Sequence, residues 1–131
     1  MDMAGRRVLL VDDERDIVRT FTLFLEKKGY VLDSAGSGRE AEAKLGEHAY
    51  DVVVFDYRLP DVSGAELSRR VDELSPGAVK VMLTGFRHPE DAVDALRVDS
   101  LLLKPVDMNE VLAVIEEKLG EKAESGETEG A

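Results

Sequence analysis

The stretch "DVVVFDYRLPDVSG", residues 51–64, decides the fold. Residues 52–55 are apolar without a polar alternate, so a strand here is buried on both faces. The run then ends on a carboxylate, Asp56, and passes into the turn-rich Leu59-Pro60-Asp61. An aspartate in that place is either a turn residue or a reactive group held at a sheet's edge. Residues elsewhere in the chain have to decide between them.

Working outward, short β-branched or leucine-rich runs occur at residues 8–11, 79–83 and 101–103, with a weaker candidate at 30–35. Between them the spacing turns helical. Ile17, Val18, Phe21, Phe24 and Leu25 share one helical face, and Gly29 offers a C-terminal stop. Leu67, Val71 and Leu74 mark another helix, ending before Ser75-Pro76-Gly77. Val111, Leu112, Val114, Ile115 and Leu119 mark the last, followed by Gly120. Weaker helical stretches lie around 41–45 and 92–96. The pattern is strand–helix repeated five times, which predicts a parallel sheet covered on both faces. The fold expected is α/β: a doubly wound parallel sheet of five strands with five helices.

Composition narrows the function. With 131 residues and 44% hydrophobic residues, the chain supports one domain with one core. Its 28 acidic against 17 basic residues give a net charge of −11, which repels nucleic acid and anionic membrane, so neither is expected as a direct partner. Without cysteine there is no disulfide, thiol catalysis or thiolate metal site. No apolar run approaches the roughly 20 residues of a membrane span or the roughly 7–15 of a signal-peptide core, so a cytoplasmic chain is expected.

In doubly wound sheets, ligands bind outside the carboxyl ends of the strands. Those ends carry Asp12-Asp13-Glu14, Asp56, Thr84-Gly85 and Lys104-Pro105; the weak second strand ends in Gly36-Ser37-Gly38. Each has an ordinary reading alone: acidic residues cap helices, aspartate and threonine end strands, and lysine covers surfaces. Jointly they differ. Three aspartates on one edge repel, and a hard divalent cation such as Mg²⁺ resolves the conflict. A lysine supplies a point charge for phosphate and a threonine hydroxyl supplies a hydrogen bond. Asp56, alone on the central strand, is the best nucleophile candidate for phosphoryl transfer.

With these residues in place, the chain resembles the receiver domain of two-component response regulators (the chemotaxis-type receiver), which implies a flavodoxin-like sheet in strand order 2-1-3-4-5. The match runs through "VLLVDDE", "DVVVFDYRLPDVSG", "VMLTG" and "LLLKP", in that order. The resemblance implies that Asp56 accepts a phosphoryl group from the phosphohistidine of a sensor histidine kinase or phosphotransfer protein. It implies Mg²⁺, with Mn²⁺ as a substitute, held by Asp13 directly, Asp12 through water, Asp56, and the main-chain carbonyl of Arg58. Thr84 and Lys104 would contact the phosphoryl oxygens, and the Lys104–Pro105 peptide would be cis. The product would be a switch controlling an output partner or domain, monomeric or dimerising on phosphorylation, with no separate substrate.

Three departures from the family pattern stand out. Leu101 takes the place, three residues before Lys104, where relatives carry an aromatic ring that turns inward. The segment from Thr84 to Lys104 is about two residues short, with the gap near Val98-Asp99-Ser100. Phe86 and Arg58 flank the expected path of attacking water and are candidates for setting phosphate lifetime. The domain is expected over residues 4–120, with 121–131 an acidic disordered tail or linker. His48 and His88 are read as ordinary surface and helix-start residues. Two rival readings are a receiver-like binding module that works without phosphorylation and a Mg²⁺-dependent phosphatase. The phosphatase normally needs a second aspartate where Arg58 stands.

Overall fold

The computed structural model describes residues 5–85 and 98–130, with side chains described through Ala123. Its elements in order are β1 (Arg7–Val11), α1 (Arg15–Lys27), β2 (Val31–Ala35), α2 (Gly38–Glu47), β3 (Val52–Asp56), α3 (Gly64–Leu74), β4 (Val79–Thr84), β5 (Ser100–Leu103) and α4 (Met108–Gly130). The five strands form one sheet in the order β2-β1-β3-β4-β5, and every pairing is parallel. The alternating periods imply a doubly wound parallel sheet, and the order is the flavodoxin-like one that the resemblance implies. Four of the five expected helices are present among the described residues. The one expected around residues 92–96 lies outside them.

The continuous apolar runs have a simple cause. Alternate residues of each inner strand feed separate cores on opposite faces. Val8, Leu10, Val52, Val54, Val79, Val81 and Leu83 pack with Phe21 and Leu25 of α1 and Ile115 of α4. Leu9, Val11, Val53, Phe55 and Met82 pack with Ala41 and Leu45 of α2 and Leu67 and Val71 of α3. All of β3 is buried, including Asp56. The second strand read weakly because it is an edge strand; its Val31 is 41% exposed and its Ser34 exposed. Phe55 is fully buried at the centre of one core, so Phe55→Ala is expected to cost about 3–5 kcal/mol of stability. Urea unfolding measures it, and a loss below about 1 kcal/mol would contradict this packing.

One residue breaks the apolar pattern of β4. Lys80 is 4% exposed, and its Nζ bonds Ser68 Oγ at 3.0 Å and Asp72 Oδ1 at 2.8 Å, both on α3. A buried ammonium persists only with such partners. Helix ends follow local chemistry. At the end of α1, Gly29 adopts φ 98°, and its N–H donates to Glu26 O, which closes the helix as expected.

The last helix corrects the sequence reading. Gly120 does not end it, and the expected disordered tail is helical as far as Gly130. A glycine stops a helix by turning to positive φ, and Gly120 is not among the glycines that do so. Left in helical geometry it costs only about 1 kcal/mol against alanine. Lys122 further ties this extension to the body, donating to Gly77 O at 3.0 Å.

Candidate functional site

The site forms where four strand ends meet. Asp12 follows β1, and its backbone N–H donates to Ala35 O on β2 at 3.0 Å. Its side chain is turned inward, 5% exposed, with Oδ1 accepting from Glu14 N at 2.9 Å. Asp13 is exposed beside it. Asp56 closes β3 at 8% exposure, with Oδ1 accepting from Arg58 N at 3.3 Å. Carboxylate oxygens of Asp12, Asp13 and Asp56 lie within 4.8 Å of one another. That is close to the roughly 4 Å between opposite oxygen ligands of one Mg²⁺.

Lys104, directly after β5, is the counter-charge. Its Nζ reaches Asp56 Oδ2 at 2.6 Å, Asp12 Oδ2 at 3.4 Å and Glu14 Oε1 at 3.6 Å. Its backbone N–H donates to Thr84 O at 2.7 Å, which joins β5 to the end of β4. Thr84 is 1% exposed, and the Lys104–Pro105 peptide is cis. Asp56, Arg58, Gly85 and Lys104 line an open cleft of about 300 Å³, ample for a phosphoryl group with its waters.

The electrostatics follow from burial and neighbours. Burial raises the Asp12 carboxyl above the ordinary range, and the Asp56 charge pushes the same way; the Glu14 N–H and Lys104 only partly offset this. For Lys104, burial opposes the charge, but the Asp56 hydrogen bond and the charges of Asp12, Asp56 and Glu14 outweigh it and raise its pKa. The ammonium's contribution to stability is therefore complete below the ordinary lysine value and lost only as pH rises through the higher folded value. Lys104 is charged throughout the neutral range.

The structure thus brings together Asp12, Asp13, Asp56, Thr84 and Lys104, with Arg58 exposed at the cleft's rim. Phe86 lies outside the described residues. Leu101 pairs with Met82 in register and packs, partly buried, against the Phe55 side of the sheet. His48 is exposed and edge-on to Tyr50, away from the cleft residues, as a surface histidine would be. The sequence reading missed Glu14 as a third carboxylate on Lys104 and Asp61 as a tie between elements. For Glu14 the signal was present, a third acid directly after Asp12-Asp13; its reach to Lys104 spans the sheet.

Comparison with known proteins agrees with this geometry. The family model for the response regulator receiver domain matches residues 8–116. The chain is 33% identical over 115 residues to the phosphate regulon transcriptional regulatory protein PhoB of Pseudomonas aeruginosa, covering 85% of this chain and 50% of that protein. It is 31% identical over 118 residues to the response regulator receiver protein CpdR of Brucella abortus, covering 87% and 97%. Among solved structures it superposes on a CheY-like receiver domain protein from Methanospirillum hungatei with a TM-score of 0.87 and 33% identity, covering 93% and 99%. It also superposes on TrrA of Thermotoga maritima in complex with Mg²⁺ and BeF, at a TM-score of 0.74 and 28% identity, covering 89% and 98%. The chain spans only half of PhoB, a transcriptional regulator, so the expected absence of a nucleic-acid partner has no support from these relatives. Among the described residues no helix is long and apolar enough to cross a membrane. A buried aspartate at the end of the central strand, an acidic pair and a lysine across the sheet, on a 2-1-3-4-5 parallel fold matched over residues 8–116, place this chain in the response regulator receiver domain family.

Proposed function

We propose that the chain takes a phosphoryl group onto Asp56 from a phosphohistidine of a sensor kinase or phosphotransfer protein, and signals through the resulting change of shape. The observation that carries this reading is the Asp56 carboxylate, held at a rigid strand end and 2.6 Å from Lys104, within an oxygen cluster suited to a hard cation. Asp12, Asp13 and Asp56, with the Arg58 carbonyl, would hold Mg²⁺ or Mn²⁺. A bound cation supplies neutralisation of phosphoryl charge. A carboxylate oxygen of Asp56 attacks phosphorus as the P–N bond to imidazole breaks, and the departing imidazole takes up a proton from water. Lys104 pairs with the phosphoryl oxygens, and the Thr84 hydroxyl donates to one of them. Water attack on the same phosphorus later frees phosphate, with Arg58, exposed at the cleft's rim, at the approach. The phosphoryl group ends on the protein itself, so no separate substrate is turned over.

The test is incubation of the chain with Mg²⁺ and a small phosphodonor such as acetyl phosphate, read by intact mass. A single adduct of about 80 Da, absent under chelation, is expected for an aspartyl phosphate. No adduct, with partner binding retained, would favour the phosphorylation-independent binding module, a reading that Leu101 in place of the usual ring keeps in view.

The pH dependence follows from Asp12. A carboxyl raised in the fold binds a proton where the unfolded chain does not, so its ionised form costs the metal-free fold stability above that window. Cation binding requires the ionised form. The thermal stabilisation given by Mg²⁺ is therefore expected to shrink on going from neutral pH down through Asp12's raised value, before ordinary carboxylates titrate. Melting curves with and without Mg²⁺ across that range measure it, and a constant increment would contradict the assignment.

A further inference from the structure

The loop between β3 and α3 is fastened at three places. Arg58 and Ser63 face each other in an isolated antiparallel bridge. Gly64 N donates to Tyr57 O at 2.7 Å, and a Cβ on Gly64 would lie 2.9 Å from Tyr57 Cα. The third fastening leaves the loop for another helix. Asp61 Oδ1 accepts from Gly38 N at 2.8 Å and Oδ2 from Arg39 N at 2.9 Å, both at the start of α2. Glycine at position 38 permits this approach, since a Cβ there would sit 2.2 Å from Val62 Cγ2.

The first N–H groups of a helix lack internal acceptors, and the helix dipole favours an anion there. The Gly38 N–H accordingly holds the Asp61 carboxyl below its ordinary pKa. Yet α2 already carries its own cap, with Ser37 Oγ accepting from Glu40 N at 3.2 Å. Asp61 is exposed, so it adds no core packing. Its distinctive contribution is a two-point tie from the loop that follows Asp56 to a helix on the neighbouring edge of the sheet.

We propose that Asp61 is a positioning residue for the acidic cleft: by clamping its loop to α2, it sets the backbone path at Tyr57 and Arg58. That path fixes the Arg58 N–H bonded to Asp56 Oδ1 and the Arg58 carbonyl assigned to the cation. The proposal rests on the phosphoryl-acceptor reading above.

The test uses the full chain and four proteins: wild type, Asp61→Ala, Asp61→Asn and Ser37→Ala. Mg²⁺ affinity is measured by isothermal titration and stability by thermal melting. Asp61→Ala is expected to weaken Mg²⁺ binding about tenfold, as loss of an outer support does at metal sites. Asp61→Asn keeps one acceptor oxygen and is expected to recover part of that loss. Ser37→Ala removes a cap from the same helix and is expected to lower the melting temperature without changing Mg²⁺ affinity. If Asp61→Ala and Ser37→Ala both melt earlier while both bind Mg²⁺ within about twofold of wild type, Asp61 is a helix cap only and the proposal falls. Should Asp61→Ala fail to fold, Asp61→Asn decides: weakened Mg²⁺ binding supports the proposal and unchanged binding overturns it. A wild-type chain that neither binds Mg²⁺ nor gains a phosphoryl adduct overturns the acceptor reading and this proposal together. A wild type that does both, beside an unaffected Asp61→Ala, overturns the proposal alone.

Discussion

Asp56→Asn is expected to abolish phosphoryl uptake outright while leaving the fold intact. Asparagine has nearly the same shape, but its single amide oxygen can keep only one of the two bonds that Asp56 accepts, from Arg58 N on Oδ1 at 3.3 Å or from Lys104 Nζ on Oδ2 at 2.6 Å. What it lacks is the anionic oxygen proposed to attack phosphorus. The lost acceptor is set against relief of the crowding between Asp56 and the carboxylates of Asp12 and Asp13, so the stability change is expected to stay within about 2 kcal/mol. Intact mass after phosphodonor treatment distinguishes the two proteins: the adduct of about 80 Da appears on wild type and is missing from the variant. Asp12 and Asp13 sit close enough to be rival acceptors. An adduct that persists on Asp56→Asn and maps to either of them would move the acceptor to another strand end.

Lys104→Ala is the second large effect, and it has two parts that move in opposite directions with Mg²⁺. Lys104 pairs with Asp56, Asp12 and Glu14 at once, and the first two are 8% and 5% exposed. Its removal leaves two buried carboxylates without that compensation, which costs several kcal/mol for fully enclosed pairs. The Lys104 side chain is 22% exposed, so solvent screening lowers the expected loss to about 1–3 kcal/mol. A divalent cation among the same carboxylates replaces the missing charge, so Mg²⁺ should restore more stability to the variant than it adds to wild type. Chemistry is not expected to be rescued in the same way, because in the proposed reaction the ammonium would face the phosphoryl oxygens as charge builds on them. The rate of adduct formation is expected to fall about a hundredfold, the scale for losing one preorganised electrostatic group. Urea unfolding with and without Mg²⁺, beside a time course of intact mass, reads both parts. A rate unchanged within about twofold would remove Lys104 from the reaction. Lys104→Arg is expected to recover the stability better than the rate, because a planar fork does not place charge as an ammonium does.

Much of this site was legible because the doubly wound fold collects its chemistry at strand ends. An apolar run of four or five residues marks a strand, and the residue after it marks the edge. Asp12, Asp56, Thr84 and Lys104 could be picked out without coordinates on that rule. Edge strands were harder. Residues 31–35 include Asp33 and Ser34, and a strand covered on one side needs no continuous apolar run. Lys80 went unremarked inside an apolar strand because its two partners, Ser68 and Asp72, lie on a different element. Gly120 was misread because glycine permits a helix stop without compelling one.

The sequence by itself determined the order of strands and helices, the acidic character of one sheet edge, and the identity of the phosphoryl-acceptor candidate. The first depends on residues near one another along the chain, where periodicity and capping chemistry act; the other two follow from the rule that a doubly wound sheet gathers its strand ends at one edge. Only the tertiary structure decided which groups meet. It placed Lys104 Nζ 2.6 Å from a carboxylate 48 residues away, and it joined Asp61 to the start of a helix 23 residues before it. Such contacts are set by the crossovers of the sheet and the packing of its helices. No local pattern encodes the distance between residues that only the closed fold brings together.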